Sequence, residues 1–208
     1  ANFNLGKYVD LDDGLSITWL AGVEYFDYDE WPGFNHLDIT GKVDLKKKIG
    51  LGAFAPSVGA QLSVAKMNYD EDVRDRLHTE LEFYWSTRID ESWDMGASLN
   101  IIEANADNEF AAGPSGMDTG PGSMPGMAKS GYVYDLSQQL LSFSAGYALG
   151  EAHYLKFGAS LMQGDVVSSA IPYEAIVDVS TAISPDAAMG NGFFAYRIDA
   201  DTQILSAS

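Results

Sequence analysis

Residues 77 to 101 constrain this chain more than any other stretch. In a first arm, Leu77, Thr79, Leu81, Phe83, Trp85, Thr87 and Ile89 alternate with His78, Glu80, Glu82, Tyr84, Ser86 and Arg88. After the polar turn Asp90-Glu91-Ser92, a second arm sets Trp93, Met95, Ala97, Leu99 and Ile101 against Asp94, Gly96, Ser98 and Asn100. Successive side chains of a strand point to opposite faces. The spacing therefore predicts two strands joined as a hairpin, each with one apolar face and one polar or small-residue face. Each arm exceeds the usual five or six residues of a globular strand. Each also reaches the roughly 9–11 residues that a tilted strand needs to cross a bilayer.

The pattern recurs. Leu15, Ile17, Trp19, Ala21, Val23 and Tyr25 share one face, as do Leu37, Ile39, Val43 and Leu45, and then Val58, Ala60, Leu62 and Val64. Beyond the hairpin come Leu141, Phe143, Ala145, Tyr147 and Leu149, then Leu155, Phe157, Ala159 and Leu161. Ala175, Val177, Val179 and Ile183 predict an eighth strand, residues 192–198 a ninth, and residues 203–208 the start of a tenth. Short connections are expected at Lys46-Lys47-Lys48, Asp90-Glu91-Ser92, Gly150-Glu151 and Ser184-Pro185-Asp186-Ala187. Longer ones are expected over residues 27–35, 70–76, 105–131 and 163–172. Aromatics gather near the strand ends, where a ring with one wet edge is favoured.

Composition narrows the classes. A formal net charge of −18 disfavours nucleic acid as a partner. With no cysteine there is no disulfide framework, thiolate metal site or cysteine nucleophile. No apolar run reaches the roughly 18–20 residues of a membrane helix, which excludes helical spans but not strands. Ala1-Asn2-Phe3 opens without a basic region and apolar core, so a secretory signal is expected to be absent or already removed. The three histidines lie far apart, and no nucleophile elbow or phosphate loop occurs, so no enzyme and no catalytic residue is expected.

The expected fold is all-β: an antiparallel up-and-down transmembrane β-barrel of about 8–10 strands in one domain, with a soluble β-sandwich or jelly roll as the alternative. The segments Phe3–Lys7 leading into residues 14–25, Arg88–Leu99, and residues 194–203 resemble the hairpins of Gram-negative outer-membrane β-barrels, the porin-like families in particular. The resemblance implies a closed barrel in the outer membrane, contacts with its lipid, and passive diffusion of small hydrophilic solutes or cations; a homo-oligomer is compatible with it. One departure stands out. Such barrels usually close on a strand ending in an aromatic, whereas this sequence stops at Leu205-Ser206-Ala207-Ser208, so a truncated chain or an unusual closing strand is expected.

Lumen charges set selectivity in a pore. On the polar faces, Asp38, Lys42, Glu80, Glu82, Arg88 and Lys156 are the candidates. The acidic loop holding Asp70 and Asp72 could bind Ca²⁺ weakly through oxygen ligands, and Met124 and Met127 offer thioethers that suit Cu(I); no dedicated cofactor is expected. The loop 105–131, rich in Gly, Pro and Met, could fold inward and narrow a pore. Three functions fit: a porin-like channel that prefers cations; a secreted soluble module binding glycan or calcium; and a non-conducting structural barrel in the membrane.

Overall fold

The alternation is realised as one antiparallel up-and-down sheet. The computed structural model describes residues 1–110, 129–150, 153–190 and 192–207. Its strands are β1 (Asn2–Leu11), β2 (Leu15–Phe26), β3 (His36–Lys48), β4 (Ser57–Tyr69), β5 (Arg76–Arg88), β6 (Trp93–Ala106), β7 (Leu136–Leu149), β8 (His153–Ala170), β9 (Ala182–Pro185) and β10 (Phe194–Ala207). Each strand pairs with the next in sequence as far as β8; β10 then pairs with β8, and the short β9 lies outside β10. The sheet is not closed. Its two edges are β1 on one side and β10 with β9 on the other.

Local chemistry explains the tight end. In the turn between β1 and β2, Asp13 (φ 61°) and Gly14 (φ 70°) both take the left-handed conformation that a tight hairpin favours. Between β5 and β6 the Asp90 carboxylate accepts from the backbone N–H groups of Ser92 (2.7 Å) and Trp93 (2.8 Å), closing an Asx turn. Apart from the β3–β4 connection of residues 49–56, which lies at this end too, the longer connections lie at the opposite end, and we refer to the two as the turn end and the loop end. β1 and β10 both run from the loop end to the turn end.

Five expectations are corrected. Lys46, Lys47 and Lys48 do not form a turn; they continue the β3 ladder opposite Gly59, Val58 and Ser57. Residues 163–170 are not loop, because β8 keeps its register against β10 from Phe157 opposite Ala207 to Ala170 opposite Phe194. The same pairing makes residues 194–207 one strand instead of two. Residues 174–179 form a short helix, α1 (Glu174–Val179), not a strand. Ile176 is its buried position, and the hydroxyl of the buried Ser180 just after it donates to the Ile176 carbonyl (2.5 Å). Finally, Ser184 and Pro185 belong to β9, not to a turn; a 3-10 turn at Ala187–Met189 follows.

The dry core sits at the loop end, not between two layers. Val133, Tyr134, Ala182 and Ala195 form one buried cluster, with Val73, Ala106 and Val167 against it. Ile176, Ile183, Phe194 and Tyr196 form a second, beside Ala170 and Ile198. Among the described residues no helix is long and apolar enough to cross a membrane.

Candidate functional site

Along β3, Leu37, Ile39, Val43 and Leu45 are exposed, while Asp38, Thr40, Lys42 and Asp44 between them are partly shielded. That inverts the usual order of a water-soluble sheet. Across the sheet, Ile39 (50 %), Leu62 (46 %), Phe83 (48 %) and Phe143 (51 %) stay accessible on the apolar face. Leu99 and Phe157 are exposed as well, and Leu81 is half-buried, so these side chains do not meet inside a compact body.

The exposed apolar residues form a slanted band. One ladder row runs Leu45, Ala60, Phe83, Leu99, Leu141, Leu161. On β3 the apolar stretch rises from this row, from Leu45 to Leu37, with Lys47 below. On β8 it descends from the row, from Leu161 to Leu155, with Gln163 and Asp165 above. Its midpoint drops by seven residues of about 3.4 Å over five strand steps of about 4.8 Å, a slope of about 45°. The β3 stretch, about 31 Å along the strand, projects to a band about 22 Å tall at that slope. Charged residues of the same parity on the other strands, namely Lys47, Lys66, Glu103, Asp165, Arg197, Asp199 and Asp201, fall at or beyond its rims, whereas Lys7 on the edge strand β1 lies opposite Trp19 within the β2 stretch.

The shielded face is a polar wall. Tyr84 reaches across Gly59 of β4 to donate to Asp44 on β3 (2.8 Å), and Tyr154 reaches across Gly146 of β7 to Asp94 on β6 (2.6 Å). A Cβ at either glycine would collide with the tyrosine ring lying on it. Ser57 pairs with Ser86 (2.8 Å) and Ser142 with Ser160 (2.9 Å). A cavity of about 400 Å³ opens beside Glu82, Tyr84, Ser86, Gly96, Ser98 and Ser142.

The sequence candidates divide by position. Asp38, Lys42, Glu80 and Glu82 lie on this wall: Lys42 and Glu80 flank Ser63, Glu82 lies opposite Gln61 and Asn100, and Asp38 sits 3.7 Å from His36. Arg88 and Lys156 are exposed at the turn end, where the Arg88 guanidinium donates to the Glu91 carbonyl (3.0 Å). Asp70 and Asp72 bracket Glu71 in the β4–β5 connection, and the described residues contain no group of three or more His, Asp or Glu placed to hold a metal. Met124 and Met127, with most of the loop 105–131, lie outside the described residues.

A second constellation, at the loop end, was not anticipated. Arg74, in the β4–β5 connection, is 7 % exposed. Its guanidinium pairs with Glu71 (2.9 Å) and with the fully buried Asp186 after β9, and lies over the rings of Phe34 (4.4 Å) and Tyr134 (4.8 Å). The Glu71 carboxylate also accepts from the N–H groups of Ala187 (3.0 Å) and Ala188 (3.2 Å), and the Ser169 hydroxyl donates to Asp186. Burial works against the Arg74 charge, but Tyr134, Asp186 and Glu71 outweigh it and hold its pKa above the ordinary value. Burial likewise pushes the Tyr134 phenol well up. Four connections far apart in sequence thus converge on one cation. The one cue in the sequence was an arginine inside the acidic run Asp70–Asp75.

No family model matches this chain, and comparison finds no similar curated protein and no similar solved structure.

Proposed function

We propose that this chain is the wall of an outer-membrane β-barrel whose polar lumen lets small hydrophilic solutes diffuse, with cations favoured. The slanted apolar band carries this reading. Barrel strands tilt about 35–45° and present an apolar girdle about 25 Å tall. The slope of about 45° and height of about 22 Å fit both values. A soluble sandwich would turn Leu62, Phe83 and Phe143 inward and Asp44, Glu80 and Glu82 out; the exposure runs the other way.

The reading also demands closure, because every unpaired backbone group in hydrocarbon costs several kcal/mol. Since β1 and β10 run in the same direction, a strand antiparallel to both must run from the turn end to the loop end. β9 already fills the upper part of that slot beside Phe194–Arg197. Over the whole wall face the acids Asp10, Glu24, Asp38, Asp44, Glu80, Glu82 and Asp94 exceed the cations Lys42, Lys46, Lys48, Arg76, Arg88 and Lys156 by one, but in its middle Asp44, Glu80 and Glu82 face Lys42 alone, which favours positive solutes there.

Planar-bilayer recording tests the channel. Discrete steps with cation preference are expected, and the joint substitution Glu80→Gln and Glu82→Gln should lower that preference. Lack of any conductance would leave a non-conducting barrel, a reading favoured by the tyrosine struts Tyr84–Asp44 and Tyr154–Asp94 across the wall. Unchanged selectivity in the double variant would remove both glutamates from the ion path.

A further inference from the structure

The slope of the band has a consequence for the loop end. On β8 the apolar stretch stops at Leu161, yet the strand continues nine residues to Ala170. At that tilt the upper parts of β8 and β10 stand about 20 Å clear of the girdle. Gly164 (φ +125°) marks where β8 leaves β7, and a Cβ there would strike the Ser137 carbonyl. Above it, β8 and β10 form a free ribbon that carries β9, α1 and the Ala187–Met189 turn.

The ribbon leans over the sheet. In a flat sheet, β3 and β9 would lie seven strand steps, about 34 Å, apart. Ala188, three residues beyond β9, nonetheless touches Gly33 in the β2–β3 connection: a Cβ built on Gly33 falls 2.7 Å from the Ala188 Cβ. The Arg74 clasp fixes the same approach from the β4–β5 connection. The Lys129 ammonium ties in the β6–β7 connection by donating to the carbonyls of Val177 and Ser180 (2.8 Å to the latter). Nearly all the dry core of the described residues lies in this cap.

We propose that the ribbon of residues 165–190 and 192–198 is a lid over the lumen mouth, held shut by the Arg74–Asp186–Glu71 clasp, and that conduction requires the lid to swing away. The proposal rests on the channel reading above. A packed, ion-paired cap is a two-position element: the clasp is either whole or broken, because removing one partner strands a buried charge. Opening costs the ribbon its loop-end contacts, while the β8–β10 ladder that hinges it at the girdle stays paired.

Two variants test the lid in the full chain. Arg74→Gln breaks the clasp without adding a charge. The pair Lys129→Cys and Ile183→Cys staples the ribbon down across an antiparallel bridge, where hydrogen-bonded partners sit about 5.5 Å apart at Cα, within disulfide reach; because the chain has no other cysteine, oxidation and reduction act on this contact alone. Amide exchange on β9 reports the lid, and bilayer conductance reports the gate. Arg74→Gln should speed exchange of the Ile183 amide, which donates to the Lys129 carbonyl outside the ribbon, by about 100-fold or more and raise the open fraction. The oxidised staple should silence the channel, and reductant should restore it. If the oxidised staple conducts like the reduced form, the lid is no gate and the channel reading stands. If exchange shows the ribbon released and still nothing conducts, the channel reading fails and the gate falls with it.

Discussion

Placing an arginine at Leu62 is the most informative perturbation of the wall. Leu62 is 46 % exposed and lies between Val43 of β3 and Leu81 of β5. On β4 the apolar stretch runs from Val58 to Val64, with Lys66 above, so Leu62 sits close to its middle. If the neighbour of that side chain is hydrocarbon, Leu62→Arg costs about 2–4 kcal/mol, the penalty for arginine near a bilayer midplane on a barrel wall. That is about 30-fold to 1,000-fold in the folding constant. If the neighbour is water, the same change at an exposed strand position stays within about 0.5 kcal/mol. Val58→Arg supplies the internal control. Val58 lies at the turn-side rim opposite Lys47, where the penalty falls to about 0–1 kcal/mol. The assay is urea unfolding of protein folded into phospholipid vesicles, followed by tryptophan fluorescence. A loss below about 0.5 kcal/mol at Leu62, equal to that at Val58, would refute the reasoning.

Two further predictions concern the polar wall and the cap. Gly59→Val should displace the Tyr84 ring from Asp44 and cost about 1–3 kcal/mol through overpacking, whereas Gly41→Ala, with open space around its Cβ position, should be near neutral; paired unfolding curves decide. Tyr134 titrates higher folded than unfolded, so its burial stabilises the cap fully below the unfolded value near ~10, and the contribution is lost as pH rises through the folded value. Protection of the β9 amides should therefore fall as pH rises beyond about 10, and Tyr134→Phe should weaken that dependence; an unchanged profile in the variant would remove Tyr134 from the effect.

The parts legible in the sequence were those decided by local pattern. The 77–101 hairpin could be read because thirteen residues of β5 and fourteen of β6 keep strict or near-strict alternation, and Asp90 supplies its own turn chemistry. The polar wall positions Asp38, Lys42, Glu80 and Glu82 followed from the same parity. Long-range pairing decided what was missed. Gly164, Asp165, Ser168 and Ser169 read locally as loop, yet lie in β8 because β10 pairs with them. In α1, six residues are too few to separate a helical period from an alternating one. The clasp could not be seen at all, since Arg74 and Asp186 lie 112 residues apart and meet only in the folded sheet, where the β8–β10 ribbon reaches the β4–β5 connection.

The central claim is that the apolar face meets lipid chains. Trp19, Trp85 and Trp93 share that face and are each more than a third exposed. Quenching of their fluorescence by lipids brominated along the acyl chain is the most direct measurement. The account predicts strong quenching that Trp85→Phe and Trp93→Phe each reduce in part. Emission untouched by brominated lipid but quenched by aqueous acrylamide would contradict it.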